Sequence, residues 1–138
     1  MSEENRFPKK SIRLKELDIS QLNPHEETIE ENLETVLNSL KEEKILKDPI
    51  IVDFNTKVIL DGHHRYKAFQ QLDQRKILCI LVDYFSENIE VEPWGTKEIT
   101  KQDVIDKGLS DELFPPKTSK HTIKGKMPGD VAYSLSFS

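Results

Sequence analysis

Val58-Ile59-Leu60-Asp61-Gly62-His63-His64-Arg65 is the stretch of this 138-residue chain that says most about its fold. Three apolar residues that end in an acid are typical of a buried strand reaching the edge of a sheet. Gly62 then permits a turn with positive φ and lets a ligand approach the backbone closely. The apolar residues that follow have helical spacing and predict a helix over residues 63–72.

The start of this predicted helix has the chemistry of an anion site. Its unpaired N–H groups and the positive end of the helix dipole favour a phosphate. Arg65 adds a bidentate donor with a permanent charge, and His63 and His64 can donate to phosphate oxygens or move protons. Asp61 can instead be only a helix cap, with the histidines as solvated first-turn residues, but the full run after a buried strand favours phosphate handling. One metal ion held by both histidines is disfavoured, because adjacent helical residues diverge by about 100°.

The other apolar blocks predict a compact α+β domain, with a small mixed β-sheet flanked by helices, over residues 1–138. Residues 1–10 are polar and are expected to be flexible. The run 77–82 is apolar at almost every position, which is typical of a strand covered on both faces. Strands are predicted over 11–17, 49–53, 57–61, 77–82 and 89–94, and helices over 26–43, 63–72 and 100–107.

Composition narrows the class of protein. Hydrophobic residues make up 36% of the chain and charged residues 33%, a balance that suits a soluble globular domain. The single cysteine, Cys79, excludes an intrachain disulfide and a cysteine-based zinc site, and such usage fits a reducing compartment. Because no apolar leader or span is visible, we expect a cytoplasmic protein without a membrane partner. The net charge of -5 argues against nucleic-acid binding, which depends on basic residues.

Five segments, in this order along the chain, resemble the free L-serine kinases of archaeal type within the ParB/sulfiredoxin-like superfamily. They are 23–26 (Asn-Pro-His-Glu), 60–65, 81–86 (Leu-Val-Asp-Tyr-Phe-Ser), Trp94 and 116–121 (Pro-Lys-Thr-Ser-Lys-His). The resemblance implies a ParB/sulfiredoxin-like fold and phosphoryl transfer from ATP or ADP to free L-serine, with Mg²⁺, giving O-phospho-L-serine for cysteine synthesis. Sulfiredoxin chemistry itself is excluded, because it needs a cysteine nucleophile where this chain has His63.

The resemblance also assigns roles to residues. It selects Glu26 as the catalytic base, although glutamates at a helix start are common partners of the dipole. Asp61 is the second catalytic candidate: it can hold Mg²⁺, orient the serine hydroxyl or bind the serine ammonium, and the sequence leaves these three open. The C-terminal segment 115–138 is expected to fold back over the site and not to form an exposed tail. Phosphate binding is assigned to Gly62, His63, His64, Arg65, Lys117 and Thr118, and serine binding to Trp94, Ser119, Lys120 and His121.

Other readings stay open at this point. The longer kinases carry a large insertion after the tryptophan region, whereas only residues 95–115 separate Trp94 from Pro116 here, which slightly favours ATP over ADP. The main rival is a ParB-like nucleotide-binding or DNA-associated regulator without serine chemistry. The negative charge and the lack of a following DNA-binding domain disfavour it, so no nucleic-acid partner is expected. A kinase for another small hydroxyl compound or a protein side chain is a second rival. We expect a monomer or a small homo-oligomer.

Overall fold

A computed structural model describes residues 12–95, 97–124 and 132–135 of the chain. A 3-10 turn, Ile19–Gln21, follows the first strand. No helix in these residues is long and apolar enough to cross a membrane. The elements are β1 (Ile12–Asp18), α1 (Glu30–Glu43), β2 (Ile45–Leu46), β3 (Ile50–Asp53), β4 (Ile59–Asp61), α2 (His63–Gln71), β5 (Lys76–Val82), β6 (Ile89–Pro93), α3 (Lys101–Gly108), β7 (Ser119–Ile123) and β8 (Tyr133–Ser134).

The central sheet has four strands in the order β1-β5-β3-β4. Strand β5 pairs antiparallel with β1 and parallel with β3, and β3 pairs antiparallel with β4. The predicted mixed sheet is therefore confirmed. Strand β5 lies inside the sheet, and most of its side chains from Ile77 to Val82 are buried, which agrees with its nearly continuous apolar run.

Two hydrophobic clusters cover the two faces of this sheet. On one face, helices α1 and α2 pack through residues such as Leu33 and Phe69. On the other face, α3 packs through Val104 and Ile105, and Ile89 of β6 joins the same cluster. The α+β architecture with flanking helices follows from these two layers. Helix α3 also has the predicted capping box between Thr100 and Asp103.

Helix α1 begins at Glu30 and not at residue 26, so its predicted start is wrong by four residues. The preceding segment is extended because its backbone pairs with distant parts of the chain. Asn23 forms a parallel bridge with Val58, and Glu26 forms one with Phe114. This long-range pairing overrides the local helical tendency, and Glu26 therefore lies outside the helix that was expected to carry it.

Strand β7 was not predicted, because residues 119–123 are mostly polar and charged. The strand pairs antiparallel with β6, and its buried and half-buried residues alternate with exposed ones. Ser119 and His121 face inward, whereas Lys120 faces outward. Strand β8 lies elsewhere, paired with β2. The C-terminal part of the chain thus contributes one strand beside β6 and another beside β2, just after the end of α1.

Candidate functional site

A cleft of about 500 Å³ lies between the β4–α2 junction and the turn that leads into β7. It brings together residues that are widely separated in the sequence. Thr118 does not line the cleft, but its backbone N–H points to a side chain that does. The predicted site residues that line it are Glu26, Asp61, Gly62, His63, His64, Arg65, Trp94, Lys117, Ser119, Lys120 and His121.

Gly62 shapes the floor of this cleft. Its φ is +104°, in the left-handed region, and an added Cβ would lie 2.5 Å from Cγ2 of Ile50. Both the positive φ and the lack of room for a Cβ atom therefore require glycine at this position. No side chain caps α2 at this residue, so the first N–H groups of the helix remain available to an anion.

Arg65 is held at the mouth of the cleft by two contacts. Its Nη1 donates to the carbonyl oxygen of Asp48 at 3.2 Å, and its Nη2 lies 3.6 Å from Oδ2 of Asp61. The Asp61 side chain is 62% exposed, so this ion pair contributes little to stability. Its main effect is to orient the guanidinium toward the cleft while leaving the carboxylate open to solvent and ligands.

His63 and His64 have a structural role that the sequence did not reveal. Nε2 of His63 accepts the backbone N–H of His25 at 3.1 Å, and Nε2 of His64 accepts that of Ile29 at 2.9 Å. Burial lowers the pKa of His63 well below its usual range and also lowers the pKa of His64. Both rings are therefore neutral with Nδ1 protonated, and each keeps one N–H for donation to a phosphate oxygen.

Glu26 is anchored to the turn before β7. Its Oε1 accepts the backbone N–H groups of Thr118 and Ser119, each at 3.0 Å, and lies 3.3 Å from Oγ of Ser119. Burial raises the pKa of this carboxyl group, while its hydrogen bonds with the 117–119 turn act in the opposite direction. Lys117 has a φ of +56°, which turns the chain so that successive N–H groups converge on the carboxylate. The site thus contains a fixed, half-buried carboxylate of increased basicity.

Two further buried side chains complete the wall behind Glu26, and neither was predicted to belong to the site. His25 is fully buried, with Nδ1 2.7 Å from the carbonyl oxygen of Ile59 and Nε2 3.0 Å from Oγ of Ser119. Tyr84 donates its hydroxyl to Nε2 of His121 at 2.7 Å. Burial lowers the pKa of His25 to about 4 and that of His121 to about 3, so both rings are neutral. The sequence placed His25 next to the candidate base but gave no signal of its burial.

The residues expected to bind serine fall into two groups. Trp94 is 54% exposed, and Nζ of Lys120 lies 5.4 Å from the centre of its ring, so both present free surface to a ligand. The hydroxyl of Ser119 and the Nε2 of His121 are already engaged within the protein. Trp94 and Lys120 are therefore the members of this set that remain open to a ligand.

Two further depressions flank the main cleft. One, of about 270 Å³, continues past Arg65 along α1 and shares Val36, Asp48 and Arg65 with the main cleft. The other, of about 490 Å³, lies on the far side of Glu26 and His63, which line both. The start of α2 thus has one opening on each side.

Fold and site together define an α+β domain in which an uncapped helix start, an arginine and a carboxylate share one cleft. Residues 1–92, two thirds of the chain, match the ParB N-terminal domain family. The chain therefore belongs to this family, and the superfamily part of the expected resemblance is confirmed.

Comparison with individual proteins gives more detail. The chain is 32% identical over 92 residues to an ATP-dependent L-serine kinase of Staphylothermus marinus, covering 64% of this chain and 36% of the relative. It is 45% identical over 75 residues to a ParB-like protein of Sulfolobus acidocaldarius, covering 54% of this chain and 37% of the relative. The chain therefore spans little more than a third of the length of these relatives.

A solved structure of a free serine kinase in complex with AMP superimposes with a TM-score of 0.81. The superposition covers 92% of this chain and 94% of that one, at 15% sequence identity. This likeness confirms the predicted fold class.

Proposed function

We propose that the protein is a kinase that transfers a phosphoryl group from a nucleotide to the hydroxyl of free L-serine. One observation carries this proposal: the anchored Glu26 carboxylate shares a cleft with the uncapped start of α2, which has Arg65 beside it. A site that only binds a nucleotide needs no more than the start of α2 and the guanidinium of Arg65. A half-buried carboxylate of increased basicity is what a phosphoryl transfer to a hydroxyl group needs in addition.

The roles follow from this placement. The N–H groups after Gly62 and the guanidinium of Arg65 bind the phosphates and stabilise the charge on the transferred group. Glu26 takes the proton of the serine hydroxyl as its oxygen attacks phosphorus. The bond to the leaving oxygen breaks, and its electron pair stays with the nucleotide product. Positioning supplies much of the remaining rate, because phosphoryl transfer requires little covalent participation by the protein.

The two depressions suggest where the rest of each substrate lies. The depression past Arg65 is lined by aliphatic side chains of α1 and β2, such as Val36 and Leu46, which suit the flat and largely apolar base of a nucleoside. Trp94 and Lys120 lie across the main cleft, where a cation can bind the serine carboxylate. In this proposal the serine hydroxyl lies between the phosphates and Glu26.

Magnesium fits the residues present if the nucleotide supplies most of its ligands. No group of three or more histidine, cysteine, aspartate or glutamate side chains in the described ranges is arranged to hold a metal. Mg²⁺ commonly takes one or two carboxylates together with phosphate oxygens, and Asp61 offers one exposed carboxylate at the cleft. When bound, the ion would neutralise phosphate charge. The name of the Staphylothermus relative supports ATP as the donor.

The second candidate is a ParB-like nucleotide-binding regulator, which the name of the Sulfolobus relative supports. It would use the same phosphate site but has no need of the base at Glu26. A net charge of -5 also disfavours a direct role on DNA. A gel-shift assay at physiological salt tests it: tight, salt-sensitive DNA binding would favour the regulator. We further infer a cytoplasmic enzyme whose product feeds cysteine synthesis.

The decisive experiment measures O-phospho-L-serine by mass spectrometry. ATP and ADP are each incubated with the protein and Mg²⁺, with and without L-serine, and the Glu26→Gln variant serves as the control for a contaminating kinase. We expect phosphoserine with at least one nucleotide and almost none with the variant. No phosphoserine with either nucleotide would rule out the proposal.

A further inference from the structure

The hydroxyl group of Ser119 lies between two possible acceptors. Its oxygen is 3.0 Å from Nε2 of His25 and 3.3 Å from Oε1 of Glu26. A serine hydroxyl has one proton and can donate only one strong hydrogen bond. The direction of that proton decides whether the carboxylate receives two donors or three.

The surroundings of His25 settle this direction. Its Nδ1 lies 2.7 Å from the carbonyl oxygen of Ile59, which can only accept, so Nδ1 carries the proton of the ring. The ring is fully buried and neutral, and its Nε2 therefore has a lone pair that needs a donor. The hydroxyl of Ser119 is the donor within reach, and leaving that lone pair unpaired in a buried position would cost more than leaving the half-buried Glu26 with two donors.

We propose that His25 controls the basicity of Glu26 through Ser119. By accepting the hydroxyl proton of Ser119, the imidazole withholds a third hydrogen bond from the carboxylate, which keeps Glu26 a stronger base. His25 and Ser119 are thus positioning residues for the proton transfer, and this inference rests on the proposed kinase function. The transferred proton goes from the serine hydroxyl to the Glu26 carboxylate, and the protons on His25 and Ser119 stay where they are.

Other charged groups near Glu26 are kept constant in the test. Lys117 lies on the turn that binds the carboxylate, and His63 lines both clefts beside it. The charged and titratable residues that line the two clefts adjoining Glu26 are Glu27, Glu30, Asp48, Asp61, His63, His64, Arg65, Tyr66, Lys67, Lys117, Lys120 and His121. None of them is changed in the variants below.

The pKa of Glu26 is measured by ¹³C NMR titration of the side-chain carboxyl carbons, with its signal assigned by its absence in Glu26→Gln. His25→Asn keeps a donor for the Ile59 carbonyl but lacks Nε2, so the Ser119 hydroxyl is free to turn. We expect the pKa of Glu26 to fall by roughly one to two units, the effect of one hydrogen bond to a charged acceptor. His25→Gln restores an acceptor near Nε2, and the pKa should stay close to that of the wild type.

The same substitution in a Ser119→Ala background gives the critical comparison. There His25→Asn should leave the pKa of Glu26 unchanged, because no hydroxyl is present to turn. An equal fall in both backgrounds, or no fall in either, would overturn the proposal. Ser119→Ala alone is a mild change that tests the idea separately: a rise in the Glu26 pKa would mean that the hydroxyl donates to Glu26 in the native protein. Ser86→Ala, another buried serine, is the matched control.

A kinetic measurement then connects the pKa to catalysis. The acid limb of the pH profile of turnover should move to lower pH in His25→Asn by the same interval as the pKa of Glu26, and should not move in Ser86→Ala. The NMR result does not depend on catalysis. If no phosphoserine forms, the proposed function fails, but the expected pKa changes would still confirm the hydrogen-bond arrangement. If phosphoserine forms and the pKa of Glu26 does not change as expected, only the role of His25 fails.

Discussion

The buried histidines should make the stability of this protein depend on pH. Burial lowers the pKa of His25 to about 4 and that of His121 to about 3, against 6.5 in an unfolded chain. Above pH 6.5 both rings are neutral in either state and contribute no pH dependence. Below 6.5 the unfolded chain binds protons that the folded protein excludes, so stability falls as the pH drops from about 6.5 toward about 4.

The size of this effect follows from the two pKa values. At about pH 5 each ring is about 1.5 units below its unfolded pKa and still neutral in the folded protein. At about 1.36 kcal/mol per unit, each histidine then costs about 2 kcal/mol, and the pair costs about 4 kcal/mol. Domains are typically stable by about 5–15 kcal/mol, so this loss is a large share of the total.

Urea unfolding at about pH 7.5 and about pH 5 measures the loss directly. In His121→Asn, the amide can replace the ring N–H that bonds to the carbonyl of Leu60, but no titrating group remains. This variant is expected to lose about 2 kcal/mol less than the wild type between the two pH values. The destabilisation caused by the substitution itself is present at both pH values and cancels when the two free energies of unfolding are subtracted. Tyr84→Phe is the control, since it removes the hydrogen bond to His121 but keeps the imidazole. An identical loss in the wild type and His121→Asn would refute the reasoning.

Three further outcomes are expected. Glu26→Gln should lower turnover by about 10²–10⁴-fold, which is the usual contribution of a general base. Its nucleotide affinity, measured by calorimetry, should be nearly unchanged, and normal turnover would remove Glu26 from this role. Gly62→Ala should destabilise the fold by about 1–3 kcal/mol in urea unfolding and weaken nucleotide binding, because its φ of +104° and its crowded surroundings reject a side chain. Gly95→Ala, with no atom within 4 Å of the new Cβ, should do neither. Val36→Trp should fill the depression assigned to the nucleoside and raise KM for the nucleotide but not for serine. An equal rise of both KM values would mean that the nucleoside binds elsewhere.

The sequence predicted the features that depend on local patterns. The apolar run 77–82 gave the inner strand, and the glycine after Asp61 gave the start of α2. The capping box at Thr100 could be predicted because both of its partners lie within one turn of the helix. In each of these cases neighbouring residues alone decide the structure.

The features that the sequence did not predict depend on contacts between distant residues. Helix α1 starts late because Glu26 pairs with Phe114, and β7 exists because β6 offers it an edge. The polar composition of β7 gave no strand signal, since only alternate side chains of that strand meet the core. His25 was placed next to the candidate base by sequence, but it is buried between Ile59 of β4 and Ser119 of β7, which no local pattern reports.

The position of the base depends on the phosphate site itself. The segment that carries Glu26 is held by Nε2 of His63 at one end and Nε2 of His64 at the other, and both rings stand on the first turn of α2. The same turn supplies the N–H groups that are proposed to bind phosphate. Because side-chain nitrogens in that turn bind the 25–29 backbone directly, two hydrogen bonds, and not loop packing, set the distance between Glu26 and the start of α2. A second anchor, from the turn before β7 to Oε1, then sets the direction of the carboxylate. This double attachment gives the proposed reaction the rigid geometry that phosphoryl transfer requires.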